Sequence, residues 1–580
     1  MPVVPTYAVD KGFWYSIPGP LADRVAVGSM VRVPLGGRRV RGYVTEIDER
    51  PPERLRDIAQ VSGRATVMSE GLLSALRWAA AHYVAPLGPT LDRAAPPNVP
   101  PAPPKEPARE GERVPNALSD AVDASTKTGN RPIVVLDPAP AGLVSLARDA
   151  IAAGVSVCVI VPTAREVAEL AEHLTAAGVV PFSVTPDMAG KDVTTAWRHL
   201  RHVPTVLIGT PKVAAWPHAR PTVVYVVEES RRAMKDRQTP TIAVRELILE
   251  RSRNEPMSPV FVGPTPSAEL MGSGPDVRRL GTGRLWPLVE VVDRRDDPPG
   301  FGLLGSVARQ AIRAVAPRGA VFIYAHRRGY AAASRCVACR TLRTCARCGS
   351  RPDIGDACAR CGADLGPCEN CGGDRFEPLG AGVGRLIEEV RRIVADDMVG
   401  DMGSRRPVRV GTERDLVSLE DCDLAILVDA DGLIRGSNYR AAEEALRIGA
   451  RIAGSVRHGG RLMVQTSDPE HHAVKALRRA DPMAFHEVEL ADRQMFGYPP
   501  AGQLLIIEGR GIEDPETRHA ELVAVGANVV ILGPAPVTDG TRWLIQGDDL
   551  DVFKAAIRPI MGKWRDAGAT IRIDADPIDL

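Results

Sequence analysis

The chain has 580 residues, of which 44% are hydrophobic and 25% are charged. These values are ordinary for globular proteins and exclude a disordered chain, a collagen and a coiled-coil rod, while the length predicts about three to five domains. A formal net charge of +1 excludes a uniformly basic DNA-coating protein, so any contact with nucleic acid depends on local patches.

The opening hundred residues predict a small domain of mostly β structure. Short β-type runs at SMVRVPLGG and RRVRGYVTEI precede a helical stretch near LLSALRWAAAHYV. In the second run, Arg38, Arg39 and Arg41 form either a phosphate-facing edge or a solvated hairpin. A proline-rich stretch then occupies residues 101–130, and because prolines block both helices and sheet ladders it predicts an extended linker.

From Arg131 the pattern changes to apolar β-type runs that alternate with amphipathic helices. The first series contains PIVVLDP, SVCVIVP, TVLIGT, VVYVV and PVFVG, and the second contains AVFIYA, VRVGT, LAILVDAD and RLMVQT. Such alternation is typical of parallel sheets covered on both faces. It predicts two α/β lobes in tandem, at residues 131–275 and at residues 276–333 with 376–480. The last hundred residues, 481–580, predict a compact α+β domain.

A cysteine-rich block at residues 334–375 interrupts the second lobe. It contains four successive Cys-x-x-Cys pairs, namely Cys336 with Cys339, Cys345 with Cys348, Cys358 with Cys361 and Cys368 with Cys371. Two such pairs complete a tetrahedral four-thiolate site of the structural zinc type, so the block predicts two zinc ions per chain. Iron–sulfur ligation is the chemical alternative. Spacing alone leaves the pairing open, either between neighbouring pairs or with the inner two pairs nested inside the outer two.

Six arginines accompany these cysteines, at positions 335, 340, 343, 347, 351 and 360. They offer contacts to DNA phosphates or to acidic partner surfaces, and a solubilising role for a small domain is the alternative.

The sequence lacks the phosphate-binding loop of an ATP-hydrolysing lobe. Such a loop ends in Gly-Lys-Ser or Gly-Lys-Thr, and no such run exists in this chain. After the strand PIVVLDP the expected position holds Ala139 to Gly142, where Pro140 removes an amide donor that a phosphate needs. No nucleotide-binding residue is therefore predicted.

No apolar run approaches the roughly 18 residues that span a bilayer, and the start lacks the regions of a secretion signal. We expect a cytoplasmic protein that has no membrane partner.

Several motifs resemble the PriA family of bacterial replication-restart proteins, which are two-lobed superfamily-2 helicases. The most specific are His-Arg-Arg-Gly-Tyr at residues 326–330, directly before the cysteines, and Phe-Gly-Tyr-Pro-Pro at residues 496–500. Leu-Gly-Pro at residues 532–534 and Asp-Ala-Asp-Pro-Ile at residues 574–578 add to the resemblance, which runs nearly end to end. It implies a multidomain α/β protein with two helicase-like lobes, an inserted zinc-ribbon module, an amino-terminal DNA-binding domain and an α+β carboxy-terminal domain. It also favours the nested zinc pairing.

The departures from the family pattern concentrate where ATP chemistry is expected. The family's Asp-Glu-Glu-His box, which holds magnesium and activates water, reads Val227, Glu228, Glu229 and Ser230 here. The family's Gly-Thr-Glu after the zinc module reads Gly382-Val383-Gly384, and its arginine-finger segment runs from Arg451 to Arg457 without matching arginines. Each change removes a charge or donor that phosphoryl transfer uses. We therefore expect a helicase scaffold without catalytic residues.

The resemblance implies a DNA-end-binding domain at residues 1–100 that captures the 3′ end of a nascent strand. Matching positions are Phe13, Tyr15, Gly36 and Arg56, and Arg38 and Arg39 offer phosphate contacts. The family's aspartate between the two aromatic residues is Trp14 here, so the resemblance implies that base stacking is kept while the carboxylate contact to the terminal hydroxyl is missing. Phe13 and Trp14 as core residues of a β domain are the alternative.

The resulting function hypothesis is a restart factor that binds abandoned or stalled forks and single-stranded DNA and promotes reloading of the replicative helicase. The implied partners are forked and single-stranded DNA, the replicative helicase or its loader, and single-stranded-DNA-binding protein. Two alternatives stay open, namely an ATP-dependent 3′-5′ helicase with a noncanonical nucleotide site and a zinc-ribbon adaptor without fork specificity.

Overall fold

The computed structural model describes residues 2–5, 12–48, 55–100, 102, 131–136, 144, 147–148, 155–219, 222–279, 283–297, 302–326, 333–352, 355–358, 361–379, 382–419, 421–436, 438–537 and 540–580. The chain divides into two compact units. The first comprises Met1–Gly281 with Asp551–Arg558 and Arg572–Asp576, and the second comprises Thr282–Leu550 with Pro559–Ile571 and Pro577–Leu580.

The first unit begins with a six-stranded sheet of order β5-β2-β1-β4-β3-β6. Its strands are β1 Pro2–Pro5, β2 Phe13–Ser16, β3 Met30–Leu35, β4 Arg38–Val44, β5 Arg56–Asp57 and β6 Gln60–Val61, followed by helices α1 Glu70–His82 and α2 Leu87–Asp92. Gly36 and Gly37 join β3 to β4 with φ of 57° and 77°, the left-handed values that a tight two-residue hairpin turn requires. The hydroxyl of Ser69 accepts a hydrogen bond from Leu72 N and caps α1.

The rest of the first unit is a lobe built on a seven-stranded parallel sheet of order β13-β7-β12-β11-β8-β10-β9. The strands are β7 Ile133–Leu136, β8 Ser156–Ile160, β9 Phe182–Val184, β10 Val206–Gly209, β11 Thr222–Val227, β12 Met257–Val262 and β13 Asp276–Arg279. The helices are α3 Ala164–Ala176, α4 Gly190–His202, α5 Val244–Asn254 and α6 Ala268–Gly272. The central strands are buried along their whole length, as their continuous apolar runs predict.

The sheet of this lobe extends beyond residue 275, where the sequence pattern placed its end. Strand β13 pairs in parallel with β7, from Asp276 opposite Ile133 to Arg279 opposite Leu136. Its run Asp-Val-Arg-Arg is polar because an edge strand is exposed, so the hydrophobic pattern carried no signal for it.

The second unit contains a lobe with a six-stranded parallel sheet of order β14-β21-β20-β15-β19-β18. Its strands are β14 Leu288–Asp293, β15 Val321–Tyr324, β18 Val399–Asp401, β19 Val408–Gly411, β20 Cys422–Leu427 and β21 Val456–Thr466. Its helices are α7 Ser306–Val315, α8 Val383–Arg391, α9 Ala430–Ile434, α10 Ala441–Gly454 and α11 His472–Arg479. Between β15 and α8, the antiparallel strands β16 Ala333–Cys336 and β17 Phe376–Leu379 frame the cysteine-rich block.

The carboxy-terminal region is α+β, with β22, β24 and β23 pairing in antiparallel fashion. Its elements are α12 Pro482–Phe496, β22 Gln503–Arg510, α13 Pro515–Val525, β23 Val530–Val537, β24 Gly540–Gly547, α14 Asp551–Asp566 and β25 Thr570–Ala575. Short 3₁₀ helices also occur at Gly19–Arg24, Pro211–Ala215, Arg232–Met234, Asp396–Met398 and Glu413–Ser418. Among the described residues, every helix is too short or too polar to cross a membrane.

Candidate metal centres and nucleic-acid interface

The structure brings the eight clustered cysteines together in two groups of four. Cys336, Cys339, Cys368 and Cys371 form the outer group, and Cys345, Cys348, Cys358 and Cys361 form the inner group. Within each group the sulfur atoms all lie within 4.8 Å of one another. This is the nested arrangement, because the inner loop lies in the chain between the two halves of the outer group.

The sulfur spacing fits one tetrahedral ion in each group. The Sγ–Sγ distances are 3.5 Å for Cys336–Cys371 and for Cys339–Cys368. They are 3.6 Å for Cys345–Cys361 and 3.7 Å for Cys348–Cys358. A zinc ion bound at about 2.3 Å to four thiolates separates them by about 3.8 Å. Both groups can therefore hold a metal ion in a closed four-thiolate site, consistent with zinc.

Each cysteine pair lies on a turn that is closed by a backbone hydrogen bond. The amides of Gly349, Gly362 and Gly372 donate to the carbonyl oxygens of the first cysteine of their own pair at 2.7–2.8 Å. These glycines have φ of 69–70°, a left-handed conformation that glycine adopts without strain. In the first pair the same position holds Arg340, with φ of 64°. Three of the four turns are therefore marked by glycine in the sequence, and the fourth is not.

Arg343 connects the inner loop of the module to strand β17. Its guanidinium donates to the carbonyl oxygens of Gly355 and Leu365, both at 2.8 Å, and of Gly366 at 3.0 Å. The same group lies 4.0 Å from the centroid of the Phe376 ring on β17. Its donors are thus used inside the module, and this arginine has a structural role rather than the DNA contact considered from sequence.

The two carboxylates that follow β11 are held in ion pairs within their own lobe. Glu228 lies 2.7 Å from Arg231 Nη1, and the same nitrogen also pairs with Glu166 on α3. Burial opposes the charge of Arg231, but the two carboxylates outweigh burial, so the pKa of this guanidinium is raised. The position that follows the family's box thus carries a cation that is shared by Glu228 and Glu166.

Glu229 is buried and fully engaged by neighbouring groups. Its carboxylate accepts hydrogen bonds from Ser267 N at 2.7 Å, from Ser267 Oγ at 3.1 Å and from Arg245 Nη1 at 3.1 Å. The side chains of Glu229 and Arg245 are only 3% and 7% exposed. A carboxylate that is 3% exposed and bonded to these three donors is typical of a structural group.

The other positions of the expected nucleotide site are described only in part. Residues 139–142 lie outside the described residues. Gly382 caps the amino-terminal end of α8. In the segment expected to hold the arginine finger, Arg451 lies 3.8 Å from Glu413, and Arg457 lies 3.2 Å from Asp423. Both arginines therefore pair with carboxylates of their own lobe.

The residues expected to bind DNA lie around the amino-terminal sheet. Tyr15 is 3% exposed, and its hydroxyl donates to Pro34 O at 3.0 Å, so its ring belongs to the core of the domain. Phe13 is half-buried against the same core. Arg56 on β5 lies beside Tyr15 in register and is exposed, as are Arg38, Arg39 and Gly36 in the hairpin. Base stacking by Tyr15 therefore has no support from its packing, whereas Trp14 is the exposed ring of this strand.

The carboxy-terminal motif Asp-Ala-Asp, at residues 574–576, lies in the first unit and contacts Lys235 and His82 there. The amine of Lys235 donates to the carbonyl oxygens of Ala575 and Asp576, both at 2.6 Å, and pairs with the carboxylate of Asp574. His82 Nε2 lies 2.7 Å from the Asp576 carboxylate. Burial opposes ionisation of Asp576, but the charges of His82 and Lys235 hold its pKa below the usual value. This motif therefore has a structural role, which the sequence did not indicate.

Two other motifs that carry the family resemblance are residues 326–330 and residues 496–500. Of residues 326–330, only His326 lies within the described residues. In the motif at residues 496–500, the ring of Tyr498 stacks on Tyr439 with centroids 5.2 Å apart, and Phe496 is exposed.

The chain is similar to replication restart proteins named PriA. A PriA family model, described as 3′DNA-binding domain (3′BD), matches residues 2–96. The replication restart protein PriA of Treponema pallidum is 25% identical over 99% of this chain and 98% of its own length. The probable replication restart protein PriA of Mycobacterium leprae is 31% identical over 41% of this chain and 40% of its own length. The structure of the DUF1998 helicase MrfA bound to DNA and AMPPNP is 10% identical, with a TM-score of 0.34 over 73% of this chain and 59% of that chain.

Proposed function

Because the chain is PriA-like along nearly its whole length, we propose that it is a replication restart factor that binds DNA without an ATP-driven motor. It recognises abandoned or stalled forks and promotes reloading of the replicative helicase. Its partners in this role are forked and single-stranded DNA, the replicative helicase or its loader, and single-stranded-DNA-binding protein.

The observation that carries the proposal is the state of the two carboxylates after β11. A motor needs carboxylates that are free to hold magnesium and to position water. Here Glu228 is paired with Arg231, which also binds Glu166, and Glu229 is enclosed by Arg245 and Ser267. The sequence also lacks the Gly-Lys-Ser/Thr loop. In this proposal the lobe keeps the helicase-like sheet, and the ion pairs of Glu228 and Glu229 stabilise the lobe.

In this proposal each region has a separate task. Residues 1–100 bind the DNA end, residues 101–130 form a linker, and the first helicase-like lobe runs from residue 131 through strand β13, which ends at Arg279. The residues from there to 333, with 376–480, form the second lobe, and residues 481–580 form the carboxy-terminal domain. Two zinc ions, one on each cysteine group, hold the module at residues 334–375 in shape. A bound zinc ion supplies structural cross-linking, because a closed four-thiolate site has no position for a reacting molecule.

The proposal predicts preferential fork binding that does not depend on nucleotide. We expect tighter binding to a fork with a nascent 3′ end at its junction than to linear duplex of equal length, at one fixed salt concentration. Addition of ATP and magnesium is expected to leave both affinities unchanged, because the sequence lacks the Gly-Lys-Ser/Thr loop and Glu228 and Glu229 are held in ion pairs. Fluorescence anisotropy with labelled DNA measures all four affinities.

Two outcomes contradict this prediction. Equal affinity for forks and duplex favours the zinc-ribbon adaptor over a restart factor. A fork affinity that changes with ATP but not with magnesium alone favours the helicase alternative with a noncanonical nucleotide site.

A further inference from the structure

A cluster of basic side chains lies in the first lobe, at the edge of the parallel sheet where the strands begin. We call it the cation cluster and define it by five residues, namely Arg198, Arg201, His202, His218 and Arg251. Three of them are near the carboxyl end of α4, one is in the last turn of α5, and one lies directly ahead of β11. Strand β11 spans roughly 17 Å and is followed by Glu228. The cluster is therefore separate from the expected nucleotide site.

Hydrogen bonds bring the three segments of the cation cluster together. The amide of Ala219, next to His218, donates to Leu200 O on α4 at 2.5 Å. From α5, Arg251 Nη1 donates to Ala214 O, also at 2.5 Å, a few residues before His218. The members of the cluster are thus neighbours in space although they come from separate elements.

Both histidines of the cluster experience the positive charge of its arginines. Burial and the charges of Arg251 and Arg201 hold the pKa of His218 well below its usual range. Burial and the charges of Arg201 and Arg198 lower the pKa of His202 to about 4. Because the electrostatic causes are positive charges in both cases, an anion placed in the cluster is stabilised.

Two members of the cluster are deeply buried and have hydrogen-bonding atoms without a partner. His218 is 5% exposed, and among the described residues neither of its ring nitrogens has a hydrogen-bond partner. Arg251 is fully buried, with Nε paired to Glu255 at 2.7 Å, and its Nη2 atom has no hydrogen-bond partner in the part of the chain that the structure describes. Buried donors without a partner are unfavourable, so a ligand that accepts their hydrogen bonds is stabilised there.

The α4 side of the cluster is partly open to solvent. Arg198 and His202 are half-buried, and within the described ranges Arg198 Nε and His202 Nε2 have no hydrogen-bond partner. Arg201 Nη2 donates to the hydroxyl of Thr66 at 3.2 Å, which is a contact to a neutral group. The cluster thus combines a solvent-facing cationic side with a buried side that offers hydrogen-bond donors.

We propose that the cation cluster binds one phosphate-type oxyanion, with Arg198 and His202 on its solvent side and His218 and Arg251 on its buried side. Guanidinium groups match the oxygen atoms of phosphate, and imidazole and guanidinium N–H groups both donate to them. A water molecule can bond His218, but it carries no charge and leaves the positive charges that act on both histidines in place. Because the inner members are buried, the ligand is a small free oxyanion, of which inorganic phosphate is the simplest, rather than the backbone of DNA.

Calorimetric titration of the full chain with inorganic phosphate tests this proposal, at an ionic strength kept constant with chloride. The wild type is expected to bind one phosphate per chain. H218L and R198Q are each expected to weaken binding roughly tenfold or more, because each removes a hydrogen bond to a charged ligand. R253Q is the matched control, because Arg253 is also on α5 but is 69% exposed and pairs with Glu250. Its affinity is expected to equal that of the wild type.

Thermal unfolding without phosphate checks that the variants fold. H218L is expected to be at least as stable as the wild type, because leucine replaces a buried polar group that has no partner among the described residues. If H218L does not fold, the comparison of R198Q with R253Q decides, because both arginines are accessible to solvent.

Three results would overturn the proposal. The first is a phosphate titration that gives no more heat than chloride, as a cluster filled by water would give. The second is equal phosphate affinity in the wild type, H218L and R198Q. The third is displacement of phosphate by saturating forked DNA together with weaker fork binding by H218L, which would assign the site to the DNA backbone. None of these results removes the proposed function, because the cluster lies apart from Glu228 and Glu229.

Discussion

Replacing Cys345 by Ser is expected to release one of two metal ions per chain and to unfold the inner loop of the zinc module. Among the described residues, the inner cysteine group has little other core, since apart from its own cysteines the hydrophobic side chains that pack against it are Ala363 and Leu365. The binding free energy of a structural zinc ion is also folding free energy, on the order of 10–16 kcal/mol in small zinc domains. Both lobes are expected to stay folded, because their sheets have separate cores.

Elemental analysis of the purified protein measures this effect directly. The wild type is expected to carry two zinc ions and C345S one, retained by Cys336, Cys339, Cys368 and Cys371. Cys422→Ser is the matched control, because Cys422 is buried in β20 outside both groups and its loss is expected to leave two ions. One metal per wild-type chain, iron in place of zinc, or two ions in C345S would contradict the assignment.

Replacing Arg245 by Met is expected to lower the free energy of unfolding of the first lobe by about 3–5 kcal/mol. The change leaves the carboxylate of Glu229, which is 3% exposed, without its cationic partner. Adding E229Q to R245M is expected to restore part of the loss, because an amide costs less to bury than an unpaired carboxylate. The restoration is partial because Arg245 also pairs with Glu246 at 2.8 Å and lies 3.9 Å from Glu269.

Hydrogen exchange on peptides from β11 and α5 measures the local free energy of opening. A local measurement is needed because a multidomain chain has no single free energy of unfolding. Arg253→Met is the matched control on the same helix: Arg253 pairs with Glu250 at 2.7 Å but is 69% exposed, so we expect a change below about 1 kcal/mol. Equal losses for R245M and R253M would show that the Glu229 pair is not structural.

The two four-cysteine groups could be predicted from the sequence because their chemistry is local. Two thiolates three residues apart lie on one turn, and glycine after Cys348, Cys361 and Cys371 marks that turn. The pairing of the turns was not fixed by spacing, because it depends on how β16 and β17 bring the outer pairs together. The structural role of Arg343 depends on carbonyl groups up to 23 residues away.

The two parallel sheets could also be predicted, because continuous apolar strands that alternate with helices leave few other arrangements. The ion pairs around Glu228 and Glu229 could not be predicted from the sequence. They join residues on separate elements, such as Arg231 with Glu166, which are 65 positions apart in the chain. Tyr15 shows the same limit: a strand of three aromatic residues does not reveal which ring faces the core until the neighbouring strands are in register.

The central claim is that this helicase-like chain binds DNA without an ATPase motor. Its most direct test is the ATP hydrolysis rate of the purified full chain with magnesium, measured with and without forked DNA. We predict no turnover above background and no stimulation by the fork, because Glu228 and Glu229 are held by Arg231 and Arg245 and the Gly-Lys-Ser/Thr loop is missing. Fork-stimulated hydrolysis that is lost in E228Q would contradict the claim.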